Sequence, residues 1–169
     1  MSESLRIEGP AFLLGDDVNT DLNCSNKYLP GKDVDYVAQH AFEQLAPGLA
    51  ARMTVEGGVL VAGQHFGINS SREQAVHVLH KMKVRAIVAK SFGRQFFRNA
   101  INNGLPVFEC DTSAIVEGQA LQLDLSSGTL HSSGQLLQQM QPLPREILAI
   151  LAMGGLLPFL KKYPDWKFA

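Results

Sequence analysis

Val59-Leu60-Val61-Ala62 is followed by Gly63-Gln64-His65-Phe66-Gly67-Ile68-Asn69-Ser70-Ser71-Arg72-Glu73, and the fold is decided at this junction. The short continuous apolar run predicts a strand covered on both faces. The loop after it leads into a helix whose Ala75, Val78, Leu79 and Met82 share one side. The unit then repeats. Ala86-Ile87-Val88-Ala89 predicts a second buried strand, residues 95–102 a helix stopped by Gly104, and residues 105–108 a third strand. Strands alternating with helices over short loops predict an α/β fold built on a parallel sheet.

Upstream, Ala11-Phe12-Leu13-Leu14 predicts a first strand ending at the turn residues Gly15-Asp16-Asp17. After a polar loop, Val34, Val37, Ala38, Ala41, Phe42 and Leu45 fall on one helix face, with Asp33 placed to cap it and Pro47-Gly48 to end it. Downstream, Leu121, Leu123 and Leu125 alternate with Gln122 and Asp124, and Ser126-Ser127-Gly128 turns the chain towards Thr129-Leu130 as a half-buried hairpin. Residues 145–153 predict a helix led by Pro144 and broken at Gly154-Gly155, with a last helical segment reaching Lys162. No linker interrupts the chain, so residues 1–169 are expected to form a single domain.

The 169 residues are 46% hydrophobic and 18% charged, with a net charge of -1. That is the balance of a globular domain, with no basic excess to attract nucleic acid. The longest apolar candidate for a membrane span, residues 147–160, is cut by Gly154, Gly155 and Pro158. Residues 1–6 lack the apolar run of a signal peptide, so a cytoplasmic protein without membrane or nucleic-acid partners is expected. The two cysteines, Cys24 and Cys110, are far apart and are expected to be free thiols. Two thiolates cannot by themselves hold an iron–sulfur cluster, and no metal site is expected on this chain.

Three segments carry chemistry. Residues 63–73 lie at a helix start, where main-chain N–H groups lack internal partners and attract anions. Ser70 and Ser71 add hydroxyls there, and Arg72 a planar fork that matches a carboxylate or phosphate. The plainer alternative is a capped helix, with Ser70 or Ser71 as N-cap and Glu73 closing a capping box. The second segment is residues 90–104. Its Phe96, Phe97, Ala100 and Ile101 suit a core, while Arg94 and Arg98 share a helical side facing a partner chain, a ligand carboxylate or water. The third, Gly15-Asp16-Asp17-Val18-Asn19-Thr20-Asp21, is an acidic turn without the spaced oxygen ligands of a calcium loop. The histidines, His77 and His80 among them, lack a metal-pair spacing and are expected to be incidental.

Taken together these blocks resemble the swivelling domain of the aconitase family and, within it, the small subunits of the isopropylmalate isomerases. The matching residues are Asp17-Val18-Asn19-Thr20-Asp21 with Lys27-Tyr28-Leu29, then Gly67-Ile68-Asn69-Ser70-Ser71-Arg72-Glu73-Gln74-Ala75. Lys90-Ser91-Phe92, residues 98–104 and Gly154-Gly155-Leu156 follow in the family's order. The resemblance implies a swivelling β/β/α domain with a mostly parallel core sheet flanked by helices. It also implies a large partner subunit carrying a four-iron four-sulfur cluster, whose open iron acts as a Lewis acid on a small hydroxy-acid substrate. By that resemblance Ser70 is the base, Ser71 and Arg72 hold a substrate carboxylate, and Thr20 and Asp21 line the same cleft. Lys32 either meets an extra substrate carboxylate or is solvated.

The implied activity is that of a hydro-lyase subunit in leucine biosynthesis, dehydrating and rehydrating 3-isopropylmalate. The alternatives are a homoaconitase-like, methylmalate-type or aconitase-like subunit, or a non-catalytic anion-binding module. The chain departs from the family pattern in places. Ile68-Asn69 replaces a small residue and glycine before the serines, although asparagine tolerates positive φ. Leu22-Asn23-Cys24-Ser25-Asn26 replaces apolar residues and a proline, and Gly93-Arg94 stands where alanine is usual.

Overall fold

The strand–helix alternation is present in the computed structural model, which describes residues 5–25 and 29–168. Lys27 and Tyr28, part of the matching blocks, lie outside the described residues. Four strands run parallel: β1 (Arg6–Leu13), β2 (Gly58–Ala62), β3 (Val84–Ala89) and β4 (Val107–Glu109). Three more, β5 (Ala120–Asp124), β6 (Thr129–Ser132) and β7 (Gln135–Gln139), continue the sheet antiparallel from the other side of β1. The strand order is β4-β3-β2-β1-β5-β6-β7. β2 is buried at all five positions, as its unbroken apolar sequence requires of a strand covered on both faces.

β1 joins the two halves. Arg6 to Pro10 pair antiparallel with β5, whereas Ala11 to Leu13 pair parallel with β2. The strand starts five residues before its predicted first residue, Ala11. Gly9 and Pro10 are weak strand formers, and their extended conformation comes from pairing with β5 rather than from local propensity.

The helices are α1 (Thr20–Asn23), α2 (Val34–His40), α3 (Leu49–Glu56), α4 (Glu73–Lys81), α5 (Arg94–Asn102), α6 (Arg145–Ala152) and α7 (Leu156–Lys162). Asp33 caps α2 as expected, its carboxylate accepting from the Tyr36 N–H at 2.8 Å. α2 stops at His40 rather than running to Pro47. Phe42 takes a left-handed φ of +60° and is fully buried, so core packing reverses the chain where helical periodicity alone would continue it. The reversal leaves room for α3, which the sequence pattern did not announce. α4 packs on α2 and α5, and α5 in turn on α6 and α7. Among the described residues no helix is long and apolar enough to cross a membrane.

The β5–β6 turn is held by Asp124. Its carboxylate accepts from the Ser126 and Ser127 amides at 3.0 and 3.1 Å and from the Arg6 Nε at 3.3 Å. Partial burial opposes the charge, but the Ser127 and Ser126 amides and the Arg6 guanidinium outweigh it and hold the carboxyl below its usual range. A depressed carboxylate pKa contributes stability that is complete above the unfolded value, about 3.9, and is lost as pH falls through the folded value. Asp124→Asn is therefore expected to cost about 1–2 kcal/mol near neutral pH. In urea melts the gap between the two proteins should close on acidification.

Candidate active site

The loop from β2 to α4 leaves the C-terminal edge of the parallel strands, where open α/β sheets bind ligands. Its path is fixed from three sides. Phe66 turns inward and packs edge-on against Phe96 and Phe92, at centroid distances of 5.1 and 6.0 Å. Gly67 adopts φ +76°, and a Cβ there would sit 2.4 Å from the Cβ of Phe96, so no side chain fits. The Gly67 N–H donates to the Val18 carbonyl at 2.7 Å, and the Gly93 N–H to that of Phe66 at 2.8 Å. Asn69 takes φ +55°, the conformation its residue type was expected to tolerate.

These ties bring Ser70 to α1. Its Oγ accepts from the Thr20 N–H at 2.8 Å and the Asp21 N–H at 3.3 Å, and lies 3.3 Å from the Ile68 carbonyl, to which the hydroxyl donates. Neither serine therefore caps α4, contrary to the plainer alternative. The N-cap of α4 is Arg72, with no side-chain capping bond, and the Ser70 hydroxyl belongs to a different helix start, 50 residues earlier. The sequence had placed the amide donors at the start of α4; they come instead from α1, itself capped by Asn19 through the Leu22 N–H.

Ser70, Thr20 and Asp21 are all buried. Two buried side-chain atoms in this group, Thr20 Oγ1 and Asp21 Oδ1, have no hydrogen-bond partner among the described residues. Such groups are costly, and a native structure keeps them where something else completes them. Asp21 Oδ2 lies 3.8 Å from the Arg72 Nε, too long for a hydrogen bond but close enough for charge attraction. About half of the Arg72 side chain faces solvent, and Ser71 beside it is exposed. The arrangement is a buried hydroxyl with two amides aimed at its oxygen, beneath an exposed rim bearing a guanidinium and a second hydroxyl.

Lys32 makes a contact of its own. Its ammonium lies 4.6 Å over the Tyr36 ring, and no hydrogen bond or ion pair among the described residues joins it to the others. Residues outside the expected site brace the loops. His65 Nδ1 and Asp17 Oδ1 are 2.8 Å apart, both residues being in the left-handed region, which ties the Thr20 loop to the Ser70 loop. Asn99 donates from Nδ2 to the Ser71 carbonyl at 3.2 Å. His77 and His80 both contact Asn103 at the end of α5. None of these partners is near in sequence, so no spacing rule reveals them.

The cysteines are not arranged to bind a metal. Burial, and then the neighbouring Asp21 carboxylate, pushes the Cys24 thiol far up. Burial, with Asp111 beside it, raises Cys110 to about 11. Both thiols therefore stay protonated near neutral pH in the metal-free chain. Among the described residues no three His, Cys, Asp or Glu side chains converge. A cluster held by thiolates does not fit this chain.

The Aconitase C-terminal domain family matches residues 17–111, the stretch that holds β2, β3, β4 and the polar group at the parallel edge of the sheet, so the chain contains an aconitase-type domain. Relatives extend the likeness over nearly the whole chain. The 3-isopropylmalate dehydratase small subunit of Pyrobaculum neutrophilum is 44% identical, the match covering 93% of this chain and 98% of that one. The protein of the same name from Sulfurisphaera tokodaii is 42% identical, with 92% and 94% covered. The crystal structure of 3-isopropylmalate dehydratase from Methanocaldococcus jannaschii superposes with a TM-score of 0.84 at 36% identity, covering 95% of this chain and 96% of that one. The chain belongs to the family of 3-isopropylmalate dehydratase small subunits, within the aconitase family.

Proposed function

We propose that this chain is the small subunit of a two-subunit hydro-lyase that interconverts 3-isopropylmalate and 2-isopropylmalate by removing water and adding it back. The geometry that carries the catalytic part is the convergence of the Thr20 and Asp21 amides on Ser70 Oγ. A serine hydroxyl is too weakly acidic to act as a base unaided. Amide hydrogens aimed at its oxygen stabilise the alkoxide without reorganisation, as oxyanion donors do, and one such donor is worth about 10²–10³ in rate. Once its own proton has been released to solvent, the Ser70 alkoxide takes the proton from the carbon adjacent to the one that loses the hydroxyl. Returning that proton to the other carbon when water adds back completes the isomerisation. Arg72 and Ser71, on the exposed rim, bind a substrate carboxylate, and the guanidinium also offsets charge on Ser70. The unsatisfied Thr20 Oγ1 and Asp21 Oδ1 supply an acceptor and a further polar contact to the bound acid or to the groups orienting it.

The four-iron four-sulfur cluster of this family would sit on the large subunit, where it polarises the substrate's hydroxyl as a Lewis acid. Ser70 is buried in the separate chain, so in this reading the loops around it have to move when substrate and partner bind for the substrate to reach its oxygen. Lys32, engaged with Tyr36, takes no part in this reading. A homoaconitase-like, methylmalate-type or aconitase-like substrate, and an anion-binding module without turnover, are not favoured by the relatives. The purified chain alone is expected to show no turnover, and the pair reconstituted with its iron-containing large subunit should convert 3-isopropylmalate faster than homoaconitate, methylmalates or citrate. A higher kcat/KM for any of these others, or turnover by the iron-free chain, contradicts the proposal.

A further inference from the structure

Past β3, the same sheet edge carries a second concavity that the chemistry above leaves unused. It measures about 260 Å³ and is lined by Phe92, Arg94, Phe97, Arg98 and Glu109. Its apolar floor is a pair of half-buried rings, Phe92 and Phe97, in edge contact at 5.9 Å. Arg94 and Arg98 stand one turn apart on the exposed side of α5. Neither guanidinium has an ion pair or hydrogen bond among the described residues, whereas Arg6, Arg52 and Arg72 each face a carboxylate. An adjoining concavity of about 240 Å³ shares Phe97 and Glu109 and runs on over Met140 and Leu143 beside the open edge of β4.

Two unpaired like charges one turn apart on a helix repel each other, and partly exposed rings remain hydrated. Arginine and aromatic side chains are also the types that dominate interface energetics once water is excluded. The location narrows the occupant. Phe92 forms a parallel bridge with Phe66, and the Gly93 N–H donates to the Phe66 carbonyl, so the concavity adjoins the loop that carries Ser70. A subunit that brings its cluster over the Ser71–Arg72 rim would approach beside the neighbouring loop of the same edge.

We propose that this concavity docks the cluster-bearing large subunit, taking an apolar side chain between Phe92 and Phe97 with carboxylates placed against Arg94 and Arg98. The inference rests on the two-subunit reading above. The test is titration of the iron-loaded large subunit with the wild-type chain and with the double variant Arg94→Glu/Arg98→Glu, with circular-dichroism melts to establish that both are folded. The double variant should raise the dissociation constant by at least about 30-fold, since like charges set opposite one another at an interface are strongly unfavourable. Its kcat at saturating large subunit should stay within about twofold of wild type, and its residual association should depend less on salt. The milder Arg94→Ala/Arg98→Ala should give a smaller loss in the same direction. A folded double variant that associates as tightly as wild type overturns the docking proposal and leaves the two-subunit reading standing. So does a fall in kcat at unchanged affinity, which would place the arginines on substrate. Failure of the wild-type chain to associate with the large subunit overturns both.

Discussion

Ser70→Ala is expected to lower turnover of the reconstituted enzyme by about 10³-fold, the middle of the range for a positioned general base. The loss should fall on kcat, with association to the large subunit retained. Alanine has no oxygen to lose a proton, and it leaves the Thr20 and Asp21 amides aimed at a methyl group. Two orphaned buried donors carry a penalty of their own, about 1–3 kcal/mol each, moderated where water enters the space vacated by the hydroxyl. The variant should therefore melt earlier than wild type. The decisive comparison is at a temperature where both chains are folded and saturated with partner. Turnover equal to wild type under those conditions would make Ser70 a structural tie between two loops and nothing more.

Gly67→Ala should lower stability by about 3 kcal/mol, from two separable sources. A left-handed φ of +76° costs an alanine about 1 kcal/mol. The new methyl would also lie 2.4 Å from both Cβ and Cγ of Phe96, an overpacking that costs about 1–3 kcal/mol more. Gly118 has the same φ, +76°, but open space where a Cβ would go. Gly118→Ala should show the conformational part alone. Equal midpoint shifts for the two variants in denaturant would mean that the contact with Phe96 does not constrain the loop.

The parallel half of the fold was legible because its strands are short unbroken apolar runs and its helices α4 and α5 keep one apolar side. Both signals are local. What escaped depends on partners distant in sequence. The first five residues of β1 exist through pairing with β5, and the turn at Phe42 through its burial. β7, with two glutamines at one end and one at the other, is a strand because β6 is beside it. The site divides in the same way. Ser70, Ser71 and Arg72 stand in a distinctive run, and resemblance to the family added Thr20 and Asp21. That the amides of Thr20 and Asp21 point at the serine oxygen follows from the alignment of β1 with β2, which no single segment records. The brace between Asp17 and His65 escaped for the same reason.

Ser70 and the two N–H groups that hold its oxygen reside on loops that leave neighbouring strands, paired Ala11 with Val59, Phe12 with Leu60 and Leu13 with Val61. A slip of one residue between those strands would carry one loop about 3.3 Å past the other and part the serine from both donors. If Ser70 is the base proposed above, catalytic competence is an all-or-none property of the assembled sheet: a chain collapsed with its first two parallel strands misaligned would have no partly active form.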